Sequence, residues 1–214
     1  MNVLIVASAP ETEYDYVREL AGQADYIICA DGGTRHAAAC GIQPDLVVGD
    51  FDSGKRPDVD TETITLKPEK DDSDLMCCTR EALKRGADAI TYVCASGGRI
   101  DHFLSNLSLL EYLYEQGCQG RFCDSRNRVT FHGGGEMHYT ADPAYQYVGI
   151  IPLDAALQGV TLRGLKYPLT NAEVSRSQVI TISNEAAAPE YMISIETGRA
   201  LVIESKDKEF LSGG

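Results

Sequence analysis

Two apolar runs in this sequence, YIICA (26–30) and LVVG (46–49), each stop at an aspartate, Asp31 and Asp50. Asp52 follows two residues later, and Asp74 closes a second acidic run, KDDSD (70–74). Carboxylates gathered at one place repel each other unless a cation sits among them. With no His or Cys pairs nearby, hard oxygen donors of this kind suit Mg2+, which keeps several waters and is completed by phosphate oxygens. A single aspartate in such a position is ordinarily a helix cap or a solvated charge. Ser73 or Asp72 is placed to cap a helix that carries Asp74 in its first turn. It is the set of acids, flanked by Gly32, Gly33 and Gly49, that argues for a shared metal.

A second stretch, ASGGRIDH (95–102), supplies the opposite charge preference. Ser96, Gly97 and Gly98 can expose consecutive backbone N–H groups, which suits phosphate oxygens. Arg99 adds a planar cation with forked donors. Asp101 reads as the N-cap of the helix that follows, a role compatible with a direct part in chemistry. The chain contains neither GxGxxG nor GxxxxGK[ST], so this loop is neither a dinucleotide fingerprint nor a Walker loop.

These residues need elements to hold them. NVLIVAS (2–8), YIICAD (26–31), LVVGD (46–50), TITLK (63–67) and AITYVCAS (89–96) read as strands. Helical patterns lie between them, around Glu11–Gln23, Thr34–Cys40, Leu75–Leu83 and 102–116. Near-continuous apolar strands alternating with helices predict a parallel sheet covered on both faces. Ligands bind such sheets beyond the carboxyl ends of the strands, which is where Asp31 and Asp50 stand. After about residue 124 the helical patterns stop. RVTFHGG, EMHYTA, QYVGIIPL, GVTLRGL, QVITISN, YMISIET and ALVIES are short runs broken by Gly, Pro and Asn. They predict an antiparallel sandwich or barrel. The expectation is an α/β parallel-sheet nucleotide domain over 1–124 and an all-β sandwich domain over 125–214.

Composition sets limits on partners. A chain of 214 residues, 43% hydrophobic, can bury one large or two small cores. A net charge of −13 argues against a nucleic-acid partner, since phosphate-backbone binding runs on clustered Lys and Arg. It leaves room for a nucleotide carried with a metal, and it favours a cationic substrate. The first residues, MNVLIVASAPETE, lack a basic region and read as a strand in place of a signal peptide. No apolar segment approaches membrane-spanning length. Seven cysteines without a CxxC pair predict buried thiols in a reducing cytoplasm. Of the four histidines, His102 lies in the ASGGRIDH stretch, and His132 and His138 flank GGGE, where a hairpin turn is expected.

Taken together, ADGG (30–33), GDFDS (49–53), KDDSD (70–74) and SGGRIDH (96–102), in this order and spacing, resemble the motifs of the thiamine pyrophosphokinase family. GVTLRGLKYPL (159–169) and TISNE (181–185) resemble that family's thiamine-site segments. The resemblance implies transfer of the β,γ-diphosphate of ATP to the hydroxyethyl group of thiamine, giving thiamine diphosphate and AMP. It implies a homodimer with the active site between subunits. Carried over by position, Asp31, Asp50, Asp52 and Asp74 are the Mg2+-binding and catalytic acids, with Asp74 the candidate acceptor of the hydroxyl proton. Arg99 and Asp101 belong to the nucleotide and diphosphate site, and Ser183, Asn184 and Tyr167 approach thiamine. A flat cation over the Tyr167 face gains about 1 kcal/mol, and an Asn184 amide can both donate to and accept from an aminopyrimidine. Two rival readings remain: a related pterin pyrophosphokinase, which has no use for the LKYPL and SNE segments, and a non-catalytic nucleotide or thiamine sensor, which has no need of intact acids.

Overall fold

A computed structural model describes residues 1–50, 61–66, 72–178 and 180–207. The chain divides into two compact units, Met1–Ser125 and Arg126–Gly214.

The first unit carries strands β1 (Asn2–Val6), β2 (Tyr26–Ala30), β3 (Leu46–Gly49), β4 (Glu62–Thr65), β5 (Ala89–Val93) and β6 (Gln119–Cys123). Its helices are α1 (Asp15–Ala21), α2 (Gly33–Cys40), α3 (Asp74–Lys84) and α4 (Ile100–Glu115). The strands lie in the order β4-β3-β2-β1-β5-β6, all parallel. Every residue of β3 and all of β1 after Asn2 are buried, the continuous burial of a sheet covered on both faces. Leu4, Val6, Cys29, Val47 and Val93 from four neighbouring strands share one core with Val17 of α1 and Ala37 of α2. β6 is a strand that the sequence reading passed over, because Gly120 and Arg121 dilute its apolar pattern. Gly120 lets α4 pack closely on β6: a Cβ there would come within 2.8 Å of a Leu113 methyl.

α1 begins later than its helical pattern does. The Glu11 carboxylate accepts the Thr12 and Glu13 N–H groups at 2.7 and 2.9 Å, which holds this stretch as a turn until Asp15. α2 ends at Gly41, whose φ of +69° gives the left-handed C-cap.

The second unit is all-β among the described residues. β7 (Asn127–His132), β9 (Tyr147–Pro152) and β13 (Ala200–Ser205) pair antiparallel in the order β7-β13-β9. β8 (Gly135–Thr140), β10 (Ala156–Arg163), β11 (Leu169–Ser175) and β12 (Glu190–Ile195) form a second antiparallel sheet, ordered β11-β10-β12-β8. Val148, Ile150, Ala200 and Val202 from the first set and Leu157, Leu162, Val174 and Ile193 from the second enclose a single core. Two expectations change here. The turn after His132 is not a hairpin: β7 pairs with β13 and β8 with β12, so Gly134 and Gly135, both at positive φ, carry the chain from one sheet to the other. His132 is fully buried at that crossing, its Nε2 3.2 Å from the Ile193 carbonyl and its Nδ1 accepting the Gly134 N–H. Among its described residues, 178 and 180–184, the QVITISN run forms no strand. It contributes one isolated bridge, Val148 to Asn184, and its alternation reflects an irregular segment laid along β9.

Candidate active site

The acid pair at the ends of β2 and β3 is held tightly. The strands are adjacent and parallel, and the Asp31 N–H donates to the Val48 carbonyl at 2.8 Å, one step beyond the Ala30–Val48 register. Asp31 and Asp50 therefore leave the sheet at the same edge. Asp31 has a φ of +35°, a left-handed conformation that few residues other than Gly, Asn or Asp adopt. The glycines around it are close-approach positions. A Cβ on Gly49 would meet the Asp31 Cβ at 2.9 Å and its Cα at 3.0 Å. A Cβ on Gly33 would stand 2.1 Å from the Val6 carbonyl oxygen, so only glycine lets the first turn of α2 rest on the end of β1. Gly32 precedes it at the N-cap position of that helix.

The phosphate-type loop lies after the neighbouring strand, β5. Cys94, Gly97 and Gly98 all have positive φ, at +52°, +90° and +70°. Glycine-rich turns with such conformations are the backbone type from which anion nests are built. It is braced by residues that motif reading did not single out. Pro10, from the segment after β1, lies against both glycines: a Cβ on Gly97 would come within 3.2 Å of its carbonyl oxygen, and one on Gly98 within 3.1 Å of its Cδ. The Ser96 hydroxyl donates to the Asp124 carboxylate at 3.0 Å, linking the ends of β5 and β6. For Pro10 the available signal was position, since SAPE (8–11) follows the first strand at this edge; Asp124 follows β6, whose diluted pattern gave no such signal. Burial pushes the Cys94 thiol up to about 12, so it stays protonated and inert.

Arg99 and Asp101 form an exposed, two-pronged pair, Nε to Oδ1 at 3.1 Å and Nη2 to Oδ2 at 2.6 Å. Bonding to Arg99, helped by the His102 N–H, holds the Asp101 carboxyl down at about 2. The expected N-cap role of Asp101 is corrected. Arg99 occupies the N-cap position without a side-chain cap, and Asp101 lies inside the first turn of α4, where a negative charge faces the helix N-terminus favourably.

At α3 the two capping candidates separate. Ser73 is the cap, its hydroxyl accepting the Met76 N–H at 3.2 Å, while Asp72 pairs with Arg80. Asp74 is the first residue of the helix and half-buried, on an element packed against β1, β2 and β3. Asp52 lies outside the described residues. Among the described residues, no group of three or more His, Cys, Asp or Glu side chains forms a ready-made metal cage. The donors nevertheless fit Mg2+, which takes one or two carboxylates and completes its sphere from water and phosphate. Asp31 and Asp50, emerging side by side at the sheet edge, are donors of that kind.

In the second unit, Tyr167 and Ser183 are exposed, while Asn184 is buried at 4% exposure. Ser183 has a φ of +54°. The Asn184 amide is turned inward: Oδ1 accepts the N–H groups of Tyr167 and Glu185 at 2.9 and 3.0 Å, and Nδ2 donates to the Tyr167 carbonyl at 2.8 Å. Its expected donation to a bound ring is therefore replaced by bonds to the protein's own main chain. Lys166 lies 5.6 Å from the centre of the Tyr167 ring and pairs with Glu185 at 2.9 Å.

Known proteins match this chain along nearly its full length. The family model described as thiamin pyrophosphokinase, catalytic domain, matches residues 17–121, and that of the thiamin pyrophosphokinase vitamin B1 binding domain matches residues 136–202. Thiamine pyrophosphokinase of Bacillus subtilis is 31% identical over 215 residues, covering 96% of this chain and 99% of that one. This chain belongs to the thiamin pyrophosphokinase family. Among solved structures, the thiamin pyrophosphokinase from Geobacillus thermodenitrificans superposes with a TM-score of 0.85 at 31% identity, over 97% of this chain and 99% of its own. A thiamin pyrophosphokinase family protein from Enterococcus faecalis does so with a TM-score of 0.83 at 33% identity, over 97% and 100%. The catalytic-domain match contains Asp31, Asp50, Asp74 and the glycine loop, and the B1-binding match contains Tyr167, Ser183 and Asn184.

Proposed function

We propose that this chain is a thiamine pyrophosphokinase, moving the β,γ-diphosphate of ATP to the hydroxyethyl oxygen of thiamine. The observation that carries the reading is the ordered pair of family matches, catalytic over 17–121 and vitamin B1 binding over 136–202. The second of these favours thiamine over a pterin as acceptor. In this reading the first unit binds ATP, and the second binds thiamine and forms a homodimer. Asp31, Asp50, Asp52 and Asp74 hold Mg2+, which when bound neutralises phosphate charge and fixes the diphosphate for in-line attack. The backbone of Ser96–Gly98 and the Arg99 guanidinium hold phosphate oxygens. The thiamine hydroxyl attacks the β-phosphorus, the bond to the α,β-bridging oxygen breaks, AMP leaves, and Asp74 takes the hydroxyl proton.

Electrostatics supports the acceptor. With 32 acidic against 19 basic residues, the protein draws in the permanent thiazolium cation. Among the described residues no helix is long and apolar enough to cross a membrane. Five of the seven cysteines are buried, and the chain has no CxxC pair; from this thiol usage we infer a reducing, cytoplasmic setting. The test is AMP release from Mg-ATP with thiamine, with a hydroxymethyl pterin, and with neither. AMP formed only with thiamine supports the assignment; equal or greater release with the pterin overturns it.

A further inference from the structure

The TISNE segment is pinned on both sides of its exposed residues. The Thr181 carbonyl accepts the Ile150 N–H at 2.8 Å, and the Thr181 hydroxyl donates back to the Ile150 carbonyl at 2.5 Å. Three residues on, Asn184 and Val148 exchange main-chain bonds at 2.8 and 3.2 Å. Between these anchors Ile182 and Ser183 face outward, and Ser183 is held left-handed. The LKYPL segment is attached alongside by the Lys166 N–H to the Glu185 carbonyl at 2.9 Å and the Ala187 N–H to the Gly164 carbonyl at 2.8 Å. At the centre of this attachment, one side chain holds both polar main-chain groups of Tyr167, in the way a neighbouring strand would. That side chain is Asn184.

We propose that Asn184 is a positioning residue for thiamine: it does not touch the substrate but locks the segment bearing the Tyr167 ring to the segment bearing the Ser183 hydroxyl, so that the two present one prearranged surface. The inference rests on the reading above, in which Tyr167 and Ser183 meet thiamine. A buried amide with both ends engaged gives the chain a fixed register here that propensity does not supply, because Tyr167 is 57% exposed and lies on a loop between β10 and β11. Fixing a loop residue before the ligand arrives removes an ordering cost from binding. Loss of Asn184 should therefore appear in thiamine affinity.

The experiment is a double-mutant cycle read in steady-state kinetics and in direct thiamine titration. Tyr167→Ala, on the surface, should raise the thiamine KM about fivefold, the loss of one exposed cation–aromatic contact. Asn184→Asp preserves shape and acceptors but turns an oxygen toward the Tyr167 carbonyl. It should raise the thiamine KM by a similar factor, leave the ATP KM within twofold, and make the thiamine KM climb with pH as the introduced carboxyl ionises. Asn184→Ser, which is smaller and cannot hold both groups at once, should act in the same direction without the pH dependence. In the Tyr167→Ala background neither Asn184 variant should add more than twofold. If the factors multiply instead, or if the ATP KM rises in step, Asn184 acts on the substrate itself or on the fold at large, and the inference is overturned. If Tyr167→Ala alone leaves thiamine binding unchanged, the site reading fails and the inference falls with it.

Discussion

Gly49→Ala puts a single methyl group against Asp31 and so separates the placement of that acid from general stability. The new Cβ would lie 2.9 Å from the Asp31 Cβ, 3.0 Å from its Cα and 3.2 Å from Oδ1. Carbon atoms pack comfortably at about 3.5–4.0 Å, so something must give by roughly half an ångström or more. Asp31 cannot swing aside as a flexible side chain would. Two of the three contacts are at or next to its main chain, its φ is already left-handed, and its N–H is bound to the Val48 carbonyl. Overpacking of this kind costs about 1–3 kcal/mol, and a misplacement of about 1 Å costs on the order of a hundredfold in rate. We expect kcat to fall ten- to a hundredfold, with a drop in Tm of about 2–4 °C per kcal/mol lost. The companion is Gly41→Ala, where φ is +69° and nothing lies within 4 Å of the added Cβ. Its strain is about 1–2 kcal/mol, so Tm falls comparably while kcat stays put. The assay is AMP release at saturating Mg-ATP and thiamine beside a thermal melt. If Gly49→Ala keeps kcat within twofold while Tm drops, the position of Asp31 is irrelevant to turnover. If Gly41→Ala loses as much activity, instability explains both.

Asp74→Asn and Asp50→Asn should keep the fold and cut turnover roughly a thousandfold, about 4 kcal/mol of transition-state stabilisation; a folded variant above a tenth of the wild-type rate at saturating Mg2+ removes that residue from the metal set. Arg99→Lys keeps the charge but loses the fork now occupied by Asp101, so the ATP KM should rise about tenfold at every thiamine concentration; unchanged kinetics would place Arg99 outside the phosphate site. Burial lowers the His132 pKa from its usual 6.5, with Nδ1 already accepting the Gly134 N–H. The unfolded chain therefore binds the proton more readily, and stability is complete above pH 6.5 and falls below it by up to about 1.4 kcal/mol per pH unit; urea melts at stepped pH should show this slope, and His132→Gln should flatten it. In the proposed homodimer, co-expression of Asp74→Asn with Tyr167→Ala should yield mixed dimers in which one site carries both defects and the other neither. Assayed at thiamine well below its KM, where Tyr167→Ala is itself impaired, a specific activity no better than the mean of the parents would place each site within one chain.

Much of this molecule was legible in order along the chain. Strand and helix alternation up to Gly117, the loss of helical pattern beyond it, and acids at the ends of apolar runs all follow from local sequence, because side-chain period and burial are tied to backbone type. A parallel sheet puts every strand's carboxyl end at one edge, so Asp31 and Asp50 could be read at the same edge without coordinates, while the pairing of β2 with β3 that makes them neighbours came from the fold. Ser73 against Asp72 as the cap of α3 was left open, since both residue types cap well and only the reach of Arg80 decides it. Where tertiary contact overrides local pattern, sequence alone misled. TISNE alternates like a strand, yet its main chain is divided between a few bonds to β9 and an exposed bend at Ser183. His132 and Gly135 bracket what reads as a hairpin, but β7 pairs with β13 and β8 with β12, in two different sheets. The need for glycine at 33 and 49 comes from backbone atoms 27 and 18 residues away in the chain, Val6 and Asp31. Asn184 shows the same limit most directly: its residue type marks it as polar and able to bond in both directions, but only the folded chain decides that both bonds go to Tyr167.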